Sequence, residues 1–375
     1  MALILDLTSS TAVYGTRLLA EAGHRVIRVE PSCGDAVRRQ GPFLRGRADL
    51  EHGAYHSFMN AGKESFTLNA GSASAEALFL ELIRAADGAV MMRPLPCEPA
   101  RLLEVNPRLA IVEVEDVANE LCAYAHSGLL SMTGHPGKRP VLLGGHAAFA
   151  AVGVYVAVAA SACLLAAQGS EVGKHVEVSA ANCLEALTEQ AALTYHTTGQ
   201  VQGRRGYRGA AATAISGGFP CADGYWMLSV PTSPNNWARF TEWVGDPLLS
   251  ADLDLADEDH RQRNRDLVLE RLGEWSRQRP KHELVAQAQE RHIPSSPIST
   301  EEDLIADPQL LARRYLQPID HPDFGAIPYP TGAIAQTLGG PPRLAPQLGQ
   351  HTQAILGELG YSEADRQALV VCGAV

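Results

Sequence analysis

Four cations, Arg38, Lys63, Arg93 and Lys138, each follow or flank a turn between predicted elements. Side chains placed that way reach one cleft edge. A few such cations, with backbone donors near helix starts, are what a small anionic ligand requires. Taken singly, each is a solvated surface charge. The hydroxyl run Thr8-Ser9-Ser10-Thr11 closes the first apolar segment, where a Ser or Thr ordinarily caps a helix. Glu120, His126 and His146 are the titratable groups placed for acid–base chemistry, which needs two such groups on opposite faces of a reacting carbon. A lone histidine is more often a hydrogen-bonded structural residue.

The composition narrows the ligand. Net charge is -11, and no Lys/Arg-rich block occurs. Nucleic acid, which needs a basic face, is excluded as a partner. The 375 residues, 46% hydrophobic and 19% charged, suffice for two domains or one large one. The seven cysteines are scattered without a C-x-x-C pair, so no disulfide framework and no metal site is expected. Reduced thiols indicate a cytosolic protein. The run Met1–Asp6 reads as a strand without the basic leader of a signal peptide. Ala147–Ala167 carries no charge and is long enough to span a bilayer. Alanine dominates it and buries little area, so it reads as a close-packed buried helix, with no membrane partner.

Residues 3–7, Val13–Ala22 and Arg25–Glu30 form a β-α-β unit. Its first turn lacks G-x-G-x-x-G, so a nicotinamide cofactor is not expected. Strands at Ser65–Leu68, Gly88–Met92, Leu109–Val114 and Lys174–Ser179 alternate with helices at Ala73–Ala86, Ala147–Ala167 and Asn182–Thr197. This alternation predicts an α/β, Rossmann-like large domain with a parallel sheet. The texture changes near residue 200, with Gly and Arg enriched over Val201–Gly209 and polar, Trp-containing helices beyond. The predicted division is a large domain of 1–200 and 320–375, with a smaller α+β domain of 205–320.

Several phrases, in order, resemble the family III CoA-transferases, the CaiB/BaiF group. They include Leu-Asp-Leu-Thr at 5–8, Val29-Glu30-Pro31, Gly34-Asp35-x-x-Arg38 and Asn60-x-Gly-Lys63-x-Ser-x-Thr-Leu68. Asn106-Pro-Arg-Leu109, Ser127-Gly-Leu-x-Ser-Met-Thr-Gly134, Gly173-x-His-Val-x-Val-Ser179, Asp307-Pro-Gln-Leu310 and Ala345-Pro-x-Leu-Gly-x-His-Thr352 complete the series. The resemblance implies the family fold and an interlocked dimer. It also implies coenzyme A or acyl-CoA as ligand rather than as a tightly held cofactor, with a carboxylic acid as second substrate. It places the CoA phosphates near Arg38, Lys63 and the Ser9–Thr11 helix start, with Asn60, Ser10, Thr11, Arg93 and Lys138 around them.

The resemblance also exposes a gap. Transferases of this family attack the acyl-CoA with an aspartate, splitting one exchange into covalent steps. That aspartate lies four residues before a helix glycine. Counting back from Gly173 makes Gly153 that glycine and puts Phe149 on the aspartate. No Asp or Glu occurs between Lys138 and Gln168. The racemase branch uses a His and an Asp, and here those places fall on Asn119 and Phe149. The loop before Asn119 is short, and the family's glycine-rich lid is reduced to Gly217-Gly218. Three readings follow. The chain is the aspartate-lacking subunit of a heteromer, as in family members built from two related subunits. Or it runs other acyl-CoA chemistry through His126, His146 or Glu120. Or it binds CoA without catalysis.

Overall fold

The computed structural model describes residues 1–115, 117, 119–207, 215–230 and 233–375. Six strands form one parallel sheet: β1 (Leu3–Leu7), β2 (Arg25–Glu30), β3 (Glu64–Thr67), β4 (Gly88–Met92), β5 (Ala110–Glu115) and β6 (Lys174–Ser179). Their order is β3-β2-β1-β4-β5-β6. The order reverses between β1 and β4, so the carboxyl ends of those two strands form a topological switch point. Helices α1 (Val13–Glu21), α2 (Ala54–Met59), α3 (Ala75–Ala85), α4 (Pro99–Val105), α5 (Glu120–His126), the single turn α6 (Leu129–Met132) and α7 (Ala147–Ser170) connect them.

Alternation along the strands feeds two cores. Ile4, Val26, Val90 and Val112 face α7, while Leu5, Ile27, Met91 and Ile111 face α3 and the C-terminal helix Thr352–Glu358. Helix α7 buries Ala148, Val152, Val156, Ala160, Cys163 and Ala167. Its other side is also apolar but uncovered by this chain: Val158 is 63% and Leu165 72% exposed. The sequence reading of a buried helix therefore holds for one face only. The small residues serve a crossing with α1. A Cβ on Gly15 would lie 2.6 Å from Gly153 O, and one on Gly153 would lie 2.8 Å from Tyr14 Cβ. The backbones touch, and no side chain fits between them.

The chain divides into two units, residues 1–130, 142–201 and 309–375, and residues 131–141 and 202–308. The second contains the antiparallel strands β7 (Ile215–Cys221), β8 (Gly224–Val230) and β9 (Ser295–Ile298) around a core with Phe219, Trp226, Phe240 and Leu272. Gly217 and Gly218 pair with Leu228 and Met227 inside β7 and β8, so they are strand residues rather than a lid. Three differences from the sequence reading stand out. Segment 131–141 joins the second unit, where Arg204 donates to the Lys138 carbonyl at 3.1 Å. The proline-rich stretch forms a hairpin, β10 (Leu316–His321) and β11 (Gly325–Pro330), in the first unit. The helix read over Asn182–Thr197 is broken by a 3-10 turn at Ala186–Thr188. The Gly/Arg-rich stretch and the loop before Asn119 lie partly outside the described residues.

Gly153→Ala is expected to destabilise the protein by roughly 1–3 kcal/mol, the cost of overpacking a close contact. Urea unfolding of Gly153→Ala beside Gly169→Ala, where a Cβ meets nothing within 4 Å, checks the assignment.

Candidate functional site

The family phrases meet in one buried ion network. Asp6, at the end of β1, accepts from Lys63 Nζ (2.8 Å), Arg28 (3.0 Å), Thr16 Oγ1 (2.9 Å) and Thr8 Oγ1 (2.6 Å). Arg28 also pairs with Asp35. Arg38 forks onto Glu30 at 2.7 and 2.9 Å and reaches Glu51 at 3.0 Å and the Pro346 carbonyl at 3.0 Å. Lys63 donates to Asn60 Oδ1, whose amide donates to His56 Nδ1 at 2.9 Å. Ser65 donates to Glu30 and accepts from the Gly349 N–H.

Burial dominates the protonation states here. It pushes the Asp6 carboxyl upward, but the Lys63 and Arg28 charges overcome that and hold it well below the usual carboxylate range. Burial lowers Lys63 to about 8, against the pull of Asp6. Burial, then Arg38 and Arg28, lower His56 to about 3, so its imidazole is neutral. Arg38 and Lys63, which the sequence reading assigns to phosphate, are thus turned inward. Both side chains are 0% exposed and each already holds a carboxylate. Asn60 is equally buried and bridges Lys63 to His56.

A second cluster lies at the carboxyl edge of the sheet. Ser9 donates from its backbone N–H and hydroxyl to Met92 Sδ at 2.9 and 3.1 Å, joining the ends of β1 and β4. The Ser10 hydroxyl accepts from Gln40, and its carbonyl accepts from Tyr55 Oη at 3.4 Å. The Tyr55 ring lies 4.9 Å from the His146 ring. His146 caps α7 in a left-handed conformation, φ 54. Its Nδ1 is 3.2 Å from Glu120 Oε2. The carboxylate can only accept, so Nδ1 carries the proton and Nε2 of the neutral ring is a base. Glu120 Oε1 accepts from the Ala148 N–H at 3.1 Å. Phe149 follows in the same first turn, buried, where the family aspartate is expected.

The other sequence candidates fall apart from this cluster. Asn119 caps α5 by accepting from Cys122 N–H. His126 is 73% exposed, 3.3 Å from Glu185. Thr11 is buried in the first turn after β1, and Lys138 belongs to the second unit. Arg93 follows β4, half exposed, but pairs with Glu113 and lies 3.6 Å from Glu177. Glu113, His175 and Glu177 offer ligand atoms within 4.8 Å of one another, and Arg93 already supplies the cation there. Sequence reasoning missed Tyr55 and Gln40, which no motif or spacing singles out.

This geometry is that of an α/β protein with its functional edge at a topological switch point. Residues 2–352 match CoA-transferase family III, and the chain belongs to that family, whose members act on acyl-CoA thioesters. It is similar to succinyl-CoA:(R)-benzylsuccinate CoA-transferase subunit BbsE of Thauera aromatica, 30% identical over 99% of this chain and 97% of that protein. It is 26% identical to formyl-CoA:oxalate CoA-transferase of Streptomyces coelicolor, over 99% and 98% of the two chains. A CaiB/BaiF family protein from Brucella suis shares the fold with TM-score 0.81 at 22% identity, covering 96% of this chain and 98% of its own.

Two outcomes follow. Arg38→Ala leaves Glu30 buried and unpaired, so it should cost roughly 3–5 kcal/mol of folding free energy. Urea unfolding reads this directly, and a variant that keeps wild-type stability would show that the network does not carry Arg38. The second outcome concerns pH. The folded pKa of His56 lies below its unfolded value of 6.5. The unfolded state therefore binds the extra proton, and stability is lost as pH falls through the interval from 6.5 toward about 3. Between pH 6.5 and 5 the contribution is roughly 2 kcal/mol. His56→Gln should flatten that part of the stability–pH curve.

Proposed function

We propose that this chain is the subunit of a heteromeric CoA-transferase that does not carry the nucleophile, working with a related subunit that supplies the aspartate. The observation that carries the reading is Phe149, buried in the first turn of α7 four residues before Gly153. A phenyl ring has no atom that attacks a thioester. Glu120, the carboxylate at this helix start, is already committed to the Ala148 N–H and to His146. Two further observations support the reading. The uncovered apolar side of α7, with Val154, Val158 and Leu165, suits burial against a second subunit. And the Thauera relative is named as a subunit. The substrates are then an acyl-CoA and a free carboxylic acid.

A second reading rests on the Glu120–His146 pair, which is oriented as a base at the same helix start. In that case His146 moves a proton of a bound acyl-CoA. The two readings separate cleanly. The chain is purified alone, co-expressed with paralogues that carry the aspartate, and assayed with succinyl-CoA, the donor named for the Thauera relative. Under the subunit reading, transfer appears only in the complex, and borohydride or hydroxylamine trapping labels the partner alone. His146→Ala then leaves transfer within about threefold of wild type, since the change is remote from a covalent step carried elsewhere. A covalent adduct on this chain without a partner would overturn the subunit reading. Deuterium exchange at the acyl α-carbon by the chain alone, abolished by His146→Ala, would establish the second.

A further inference from the structure

A cavity of about 820 Å³ opens within the first unit, between α2, the β10–β11 hairpin and the segment leading to Thr352. That volume is typical of a small-molecule site. None of the sequence-derived candidates except Lys63 lines it, and the Lys63 ammonium is spent on Asp6. The ligand it suits can be read from which polar groups in its wall are already satisfied.

Each acid in the wall already has a partner. Glu51 holds Arg38 at 3.0 Å, Glu64 holds Arg25 at 2.8 Å, and Asp323 faces His52 Nε2 at 3.2 Å. Beside the His321 ring on the hairpin, which accepts from the Asp323 and Phe324 N–H groups through Nδ1 and so in its neutral form carries the proton on Nε2, three donors remain on the closing segment. Arg343 gives one N–H to the Gly62 carbonyl at 2.7 Å and, among the described residues, has no carboxylate partner. His351 accepts from the Ser65 N–H through Nδ1 at 3.2 Å, so in the neutral ring the proton is on Nε2. Gln350 accepts from the Gln347 N–H through Oε1 at 2.9 Å, which leaves its amide N–H groups unspent. One cation and two neutral donors match a monoanion with two acceptor oxygens. A phosphate dianion would bring a second charge toward three carboxylates with only one open cation to meet it. Much of the remaining wall is aromatic and apolar. The Phe58 and Tyr329 rings lie 5.9 Å apart, with the Tyr329 hydroxyl donating to the Phe58 carbonyl. Phe324 packs on His321 at 4.4 Å.

We propose that this cavity is a binding site for an organic monocarboxylate, held by Arg343, His351 and Gln350 at the carboxylate and by Phe58, Phe324 and Tyr329 around an apolar or aryl body. The site does not depend on the subunit reading above, because none of its donors belongs to the α7 cluster. The test uses the full chain, 3-phenylpropionate as probe and its uncharged amide as control, with calorimetry as readout. The acid is expected to bind at least about tenfold more tightly than the amide, the scale of one charge-assisted contact. Arg343→Gln should weaken the acid by about tenfold or more and leave the amide unchanged, with Arg343→Lys between the two. Arg343 is exposed and bonds a single carbonyl, so the variant folds, and an unchanged melting temperature verifies it. The His351 Nε2–H resonance should shift with acid and not with amide. A folded wild type that binds no acid at millimolar concentration overturns the proposal. So does equal binding of acid and amide, or affinity unaffected by Arg343→Gln.

Discussion

Seven ionised side chains behind the sheet's β1–β3 half depend on one another for a partner: Arg28, Arg38 and Lys63 against Asp6, Glu30, Asp35 and Glu51. A charge removed from water costs several kcal/mol unless it is paired and hydrogen-bonded, so no member can be moved alone. That requirement fixes geometry over long sequence distances. Arg38 needs the Pro346 carbonyl, and Ser65 needs the Gly349 N–H, so the last segment must return to the β3 edge. His56 needs the same Pro346 carbonyl, which sets α2 beside it. The closing segment of the chain is thereby made part of a unit that starts at Met1.

The same network explains what the sequence could and could not say. The strands and most helices of the sheet are legible because their apolar residues alternate or recur at regular spacing. The hairpin Leu316–His321 and Gly325–Pro330 is not, because prolines interrupt its strands. Pro is tolerated there since the pair stands alone, with edges on both sides. The motif cations are a subtler case. Spacing shows that Arg38 and Lys63 stand at turns, but not whether a phosphate or a carboxylate will meet them. One signal was available: the phrases that carry Arg38 and Lys63 belong to a series that also carries Asp6, Glu30 and Asp35. A phosphate site carries an excess of positive charge, and these phrases do not. The chain of contacts from Tyr55 through His146 to Glu120 has no sequence signature, since its members come from three separate helix starts or turns.

Helix α7 carries two demands that together produce its uniform apolarity. One face must cover Ile4, Val26, Val90 and Val112, and Gly153 must admit the α1 backbone. The outer face would be polar in an isolated unit, as amphipathic helices are. Its Val154, Val158 and Leu165 instead stand exposed, while the sheet occupies the inner side.

The start of α7 shows how a nucleophile can be absent without leaving its helix end unsatisfied. The first N–H groups of any helix lack internal partners and carry partial positive charge. An aspartate in the first turn would answer both. Here Phe149 occupies that turn and answers neither. Glu120, arriving from the start of α5, takes the Ala148 N–H instead and places its charge at the same helix end. Its second oxygen holds His146, whose strained φ of 54 turns the chain into the helix. The electrostatic requirement of this helix start is met by one carboxylate, Glu120. On the subunit reading proposed above, a helix start that is stable without a nucleophile is kept for assembly and binding while the covalent step belongs to the partner.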